Sequence, residues 1–141
     1  MKKKTKKKSI KISTLKNKLD RLFSQYIRLR DADENGYCHC CTCGKTLHWK
    51  EMTAGHFISR SVLATRYEET NVHAQCMCPC NAKHMGNGKP HLHEIYIVDM
   101  HGENERNRLL DLSVHSKPMK KKDYEELIEY YKQKVKEFNL T

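Results

Sequence analysis

The chain has no long apolar run and little material for a large core. Of its 141 residues, 38% are hydrophobic and 8% aromatic, with one tryptophan, three prolines and six glycines. No stretch approaches the length of a transmembrane helix, so a helical membrane span is not expected. No apolar segment follows the basic N-terminus, so no secretory signal is expected either. No internal repeat is present. Acid is missing from residues 1–18, which carry nine lysines.

That last absence explains the charge. The formal net charge is +10, yet beyond residue 18 the chain holds 18 basic and 17 acidic residues, close to neutrality. The basicity is an N-terminal tail. Residues 1–11 are low-complexity and self-repelling, and are expected to be disordered. Such a tail either solubilises the protein or neutralises phosphates as a DNA-binding arm.

What the chain does have is cysteine, seven in all. A thin core gains from a staple, and in a reducing cytosol CxxC spacing points to zinc rather than to disulfides. Two CxxC pairs overlap in the first group, Cys38/Cys41 and Cys40/Cys43. The second is favoured because Gly44 follows it, and a zinc knuckle turns back sharply after its second cysteine. The second group is Cys76, Cys78 and Cys80. Cys76/Cys80 is taken as the ligand pair, with Cys78/Cys80 as the tighter alternative. Cys40, Cys43, Cys76 and Cys80 then form one structural zinc site.

The elements follow from periodicity. From Ser13, Leu15, Leu19, Leu22, Phe23 and Tyr26 share a helical face, with Ser13 or Thr14 as cap. Asp33 to Gly36 ends that helix, whose lysines and arginines read as a solvated face or an extension of the arm. Met52 to Ile58 reads as a strand carrying His56, with Gly55 marking a close backbone approach. Asn71 to Cys76 alternates as a second strand, with Val72 and Ala74 on one side and His73 and Gln75 on the other. A short helix is expected after Cys80, over Asn81 to Met85. A further helix is expected from Leu92, with Gly102 as its stop. A last helix, capped by Asp123, carries a stripe of Tyr124, Leu127, Ile128, Tyr131, Val135 and Phe138.

These segments imply an α+β chain. It divides into a basic arm at 1–11, an N-terminal helix at 12–35, a zinc-stapled module at 36–113, and a linker with a C-terminal helix at 114–141. Phosphodiester hydrolysis requires an activated water and charge stabilisation at the phosphate. His56, at the end of the first strand, is the candidate general base. Asn71 is placed to hold the loop or the His56 backbone through its amide. Arg60, Arg66 and Lys83 are candidates for DNA contact. His84, His91, His93, His101 and His115 have no supporting pattern and are left without a role.

The motif order resembles a known family. AGHFISR at Ala54 to Arg60, RYEETN, NVHAQC at Asn71 to Cys76, and CN followed by GN at Asn87 resemble the NinG (Rap) family of lambdoid-phage recombination proteins. The IYIVDMHG segment extends the likeness, which covers Cys40 to Leu112. The hairpin-and-helix order also resembles a ββα-metal (HNH-type) nuclease module. The resemblance implies a recombination endonuclease of the bacterial host cytoplasm, acting on Holliday junctions and other branched DNA with a divalent metal. It makes Asn81 a ligand of that ion, Mg²⁺ or Mn²⁺. Gly55 stands where many such sites carry a ligand aspartate, and His73 is the expected replacement. A nuclease that cuts two strands is expected to be a homodimer through one of the flanking helices. The competing readings are a non-catalytic zinc-finger DNA-binding protein and a sequence-specific homing or restriction nuclease.

Overall fold

The computed structural model describes residues 9–115 and 117–139. The arm expected over residues 1–11 therefore lies mostly outside the described residues. Helix α1, Ile12–Asp31, buries Leu15, Leu19, Phe23 and Ile27 at four-residue spacing, the interval that returns a side chain to one face. It starts earlier than the sequence signals: Lys11 is the N-cap and makes no side-chain bond, so neither Ser13 nor Thr14 caps it. Helix α5, Lys121–Asn139, lays Tyr124, Ile128 and Tyr131 into the same core. Tyr131 meets Phe23 edge-on with ring centroids 5.1 Å apart. The apolar stripes of the two terminal helices thus cover each other. Asp123 lies inside the first turn of α5, where its carboxylate accepts the Lys120 backbone N–H at 2.8 Å. That is the returning half of a capping box rather than the expected N-cap.

After α1, the Asp33 carboxylate accepts N–H bonds from Asn35 and Tyr37, both at 2.9 Å. This side-chain-to-backbone turn directs the chain into β1, Tyr37–His39, which pairs antiparallel with β2, Thr46–His48. A second antiparallel hairpin joins β3, Met52–His56, to β4, Val72–Cys76. A four-residue helix, α2, Leu63–Arg66, lies in the loop between them. His56 is opposite Val72, and Gly55 is opposite His73. With a side-chain period of two, Met52, Ala54 and His56 share one face of the hairpin with Val72, Ala74 and Cys76. Thr53, Gly55, His73 and Gln75 share the other. All five residues of β4 are buried, while Thr53, Ala54 and His56 of β3 are half-buried.

The expected helix after Cys80 is absent. Asn81 closes a single wide turn, Met77–Asn81, and residues 82–88 run through tight turns. The Gly88 N–H donates back to the Cys80 carbonyl at 2.9 Å, and Asn87, Gly88 and Lys89 all adopt positive φ, which curls the chain where a helix would extend it. The next helix is α3, Pro90–His101, and it covers the His73 face of the hairpin. Gly102, at φ +89°, stops it as expected, and α4, Glu103–Ser113, follows at once.

Two arginines of α1 are structural rather than solvated. Arg30 donates to the Glu69 and Val72 carbonyls at 2.8 and 2.7 Å and pairs with Asp31. Asp31 in turn accepts the Ala74 N–H at 2.8 Å. Arg28 donates to the Trp49 carbonyl at 3.2 Å. These bonds fix the hairpin against α1.

Candidate functional site

The first hairpin ends in a knuckle. The Cys40 N–H donates to Lys45 O at 2.8 Å and the Gly44 N–H to Cys40 O at 2.9 Å. Gly44 sits at φ +76° with no heavy atom near its would-be Cβ, so conformation alone demands glycine here. The Cys41 N–H docks this knuckle on Ala74 O of β4 at 3.0 Å. The sulfur atoms of Cys40, Cys43, Cys76 and Cys80 then lie within 4.8 Å of one another. This is the set chosen from spacing, and it could hold a structural metal such as zinc. Cys38 faces elsewhere, donating to Arg28 O at 3.3 Å, and Cys78 is exposed. Burial drives the Cys76 and Cys80 thiols upward. Burial acts the same way on Cys40, but bonds from the Thr42 hydroxyl and the Cys76 backbone outweigh it and lower that thiol. A cation such as zinc, when bound, would hold all four sulfurs as thiolates.

A cavity of about 420 Å³ opens between α1 and β3, and His56, Thr53, Arg60 and Asn81 line it together with Asp20 and Arg28. His56 Nε2 lies 2.9 Å from the Arg66 carbonyl. A carbonyl only accepts, so Nε2 carries the proton and Nδ1 keeps the lone pair. Burial pushes the imidazole down to about 4, and the neighbouring charges of Arg60 and Arg66 add to this. The ring is therefore neutral at pH 7. The loop beyond it is pinned by Asn71, whose Oδ1 accepts the Ile58 N–H at 2.8 Å while Nδ2 donates to Ile58 O and Thr65 O, both at 3.1 Å. Asn71 thus holds the segment that holds His56.

The orientation of Asn81 follows from its partner. The Thr53 hydroxyl gives its one proton to Gln75 O at 2.6 Å, so it must accept from Asn81 Nδ2 at 2.8 Å. Asn81 Oδ1 is left as an acceptor with no hydrogen-bond partner among the described residues, in a side chain that lines the His56 cavity. A larger groove, about 540 Å³, lies between α2 and α5, but neither His56 nor Asn81 reaches it.

Two expected site residues are placed elsewhere. His73 does not join His56 and Asn81. Standing opposite Gly55, it points to the other hairpin face, where its Nδ1 lies 3.1 Å from His93 Nε2 and its Nε2 2.9 Å from His101 Nε2. Burial holds His73 down to about 2 and His93 to about 4. Nor does His73 fill the space an aspartate would occupy at position 55. There the Gln75 side chain packs against the Gly55 backbone, and any Cβ would run into Gln75 Oε1. The close approach expected at Gly55 is thus to Gln75, not to DNA or metal. Arg66 is 7% exposed and tied up: it pairs with Asp20 through two nitrogens and donates to Arg60 O at 2.7 Å. Tyr67 OH completes the grip on Asp20 at 2.6 Å. Arg66 therefore braces the loop rather than contacting DNA. Arg60 is exposed at the cavity rim, and Lys83 is exposed on the turn after Asn81.

Sequence reasoning missed Asp20, Ser24 and Arg28 as cavity walls and His93 and His101 as partners of His73. Positions 93, 97 and 101 recur at a helical interval, which was the available signal for the latter.

A four-cysteine knuckle docked on a strand hairpin, wrapped by helices, defines a small mixed α and β protein with a sulfur cluster that could hold a structural metal. The chain belongs to the NinG family: the family model described as Bacteriophage Lambda NinG protein matches residues 1–140, well beyond the motif stretch. No curated protein and no solved structure matches it. Among the described residues no helix is long and apolar enough to cross a membrane.

Proposed function

We propose that this NinG-family chain is a metal-dependent endonuclease of phage recombination, with an HNH-like site at the cavity that His56 and Asn81 line. The observation that carries this reading is the state of His56. It is a neutral imidazole, oriented by the Arg66 carbonyl, with Nδ1 free to take a proton from water. Arg60 at the rim supplies positive charge for a phosphate. Asn81 Oδ1 is the oxygen that the cavity offers a hard ion such as Mg²⁺ or Mn²⁺. Such an ion, when bound, would stabilise the charge that develops on the phosphate. Asn71 and Arg66 act as positioning residues, through the loop that carries the Arg66 carbonyl. Branched DNA such as a Holliday junction, in the bacterial host cytoplasm, is the substrate this reading assigns.

One observation favours a second reading, a non-catalytic zinc-finger DNA-binding protein. Asp20, the one carboxylate lining the cavity, is already shared by Arg66 and Tyr67, so the protein's own donor set for an ion is thin. The two readings separate on incubation of the purified, zinc-loaded protein with a labelled four-way junction and a matched duplex in Mg²⁺, Mn²⁺ or EDTA. Metal-dependent cleavage that prefers the junction supports the nuclease. Binding without cleavage in either metal supports the binder.

A further inference from the structure

Helix α3 presents apolar side chains on both of its faces. Its buried side holds His93 and Ile97, both fully inaccessible, while its outward side presents Leu92 and Ile95 at 44% and 58% exposure. At 100° per residue, His91, Leu92, Val98 and Asp99 fall within about 60° of Ile95, on the face directly opposite His93 and Ile97. A shallow groove of about 290 Å³ runs beside this stripe, lined by Ile95, Val98 and Arg106. A surface helix ordinarily turns its apolar stripe inward. Here the inner side is given to the histidine chain, and an apolar stripe is left outside.

The order of polar and apolar side chains on that stripe identifies its occupant, since an imidazole N–H can donate to a carboxylate. His91 and Asp99 lie four residues before and four after Ile95, about one turn to either side. When two copies of a helix cross antiparallel about a two-fold axis, residue 95 meets itself and residues equally far before and after it meet each other. Ile95 would then pack on Ile95 of the second copy, Leu92 on Val98, and His91 on Asp99, the last contact formed twice. A parallel pairing would instead stack Asp99 on Asp99. The stripe is complementary to itself in one direction only.

We propose that the outward face of α3 is the contact through which two copies of this chain associate, antiparallel and centred on Ile95. The flanking helices α1 and α5, the interface expected from sequence, have already spent their stripes on each other. A twelve-residue helix spans about 18 Å, so the contact is smaller than a standard protein interface and the dimer is weak and reversible. This inference does not depend on nuclease activity, because its readout is mass.

Sedimentation velocity on the full-length, zinc-loaded chain tests it across a dilution series from high to low micromolar. The wild type should shift from dimer to monomer on dilution. Ile95→Glu should be monomeric throughout, with zinc content and circular dichroism unchanged. Asp99→Lys should weaken the dimer, and adding His91→Glu to it should restore association by placing a carboxylate against each new lysine. A wild type that stays monomeric at every concentration overturns the proposal. So does a dimer indifferent to Ile95→Glu, and so does a double variant that fails to recover.

Discussion

His56 and His73 lie on neighbouring strands of one hairpin, one register step apart, yet their surroundings have little in common. His56 opens onto a cavity and has one fixed partner, a backbone carbonyl. His73 is sealed under α3 and has imidazoles at both ring nitrogens. The period-two alternation of a strand is responsible: side chains one position apart face opposite ways. His56 thus turns toward the cavity, and His73 toward a buried polar core under α3. Burial lowers both imidazoles, but only His56 lines a cavity.

The largest effect should come from the element both faces depend on. Cys43→Ser removes one of the four sulfurs that could hold zinc. Structural zinc contributes on the order of 10 kcal/mol, comparable with the whole stability of a small domain, so the hairpin module should unfold. Zinc content and thermal melts would check this, with Cys78→Ser as the tolerated contrast. Next comes the brace on the His56 side. Arg66→Ala leaves the Asp20 carboxylate with the Tyr67 hydroxyl as its one remaining side-chain partner, a loss of about 2 kcal/mol for a partly buried charge-assisted pair, read from denaturant midpoints.

The His73 side should show itself through acid. Ordinary histidines in the unfolded chain take up protons below about pH 6.5, whereas His73 and His93 resist until about 2 and 4. The unfolded state therefore binds more protons in that window, and stability falls as the pH drops from 6.5 toward 4. Each imidazole contributes up to about 1.4 kcal/mol per pH unit. His93→Phe should make that slope shallower, and an unchanged slope would remove the histidine chain from the account. The smallest effect belongs to the arm. Deleting residues 1–11 should flatten the log–log salt dependence of DNA binding by about 0.9 for each phosphate that the arm would have neutralised. Preference for branched over linear DNA should survive, because phosphate binding alone carries no shape information.

How far the sequence spoke for itself depended on distance along the chain. The cysteine set was legible because each pair is local and Gly44 marks the knuckle. The two strands and their facing were legible from alternation at Val72 to Gln75, and the stop at Gly102 from its glycine. The partners of His73 were not, since they lie 20 and 28 residues away and meet it only when α3 docks on β4. Arg66 read as a phosphate ligand because a basic residue in a loop looks solvated until its acid is found, and Asp20 is 46 residues distant. The helix expected to carry Asn81 failed for a local reason: the turns at Asn87 to Lys89 curl the chain back onto Cys80. Even so, Asn81 reaches the cavity, held by Thr53 instead of by a helix.

The central claim is that His56 acts as a base while its surroundings only hold it. Single-turnover cleavage of a four-way junction by His56→Ala, with Mn²⁺ and with enzyme in excess of the DNA, tests this most directly. The account predicts a rate lower by about 10²-fold or more, the usual contribution of a positioned base. Junction affinity, zinc content and melting temperature should stay close to wild type. Cleavage at the wild-type rate would contradict the account and leave the zinc-stapled DNA-binding protein as the better description.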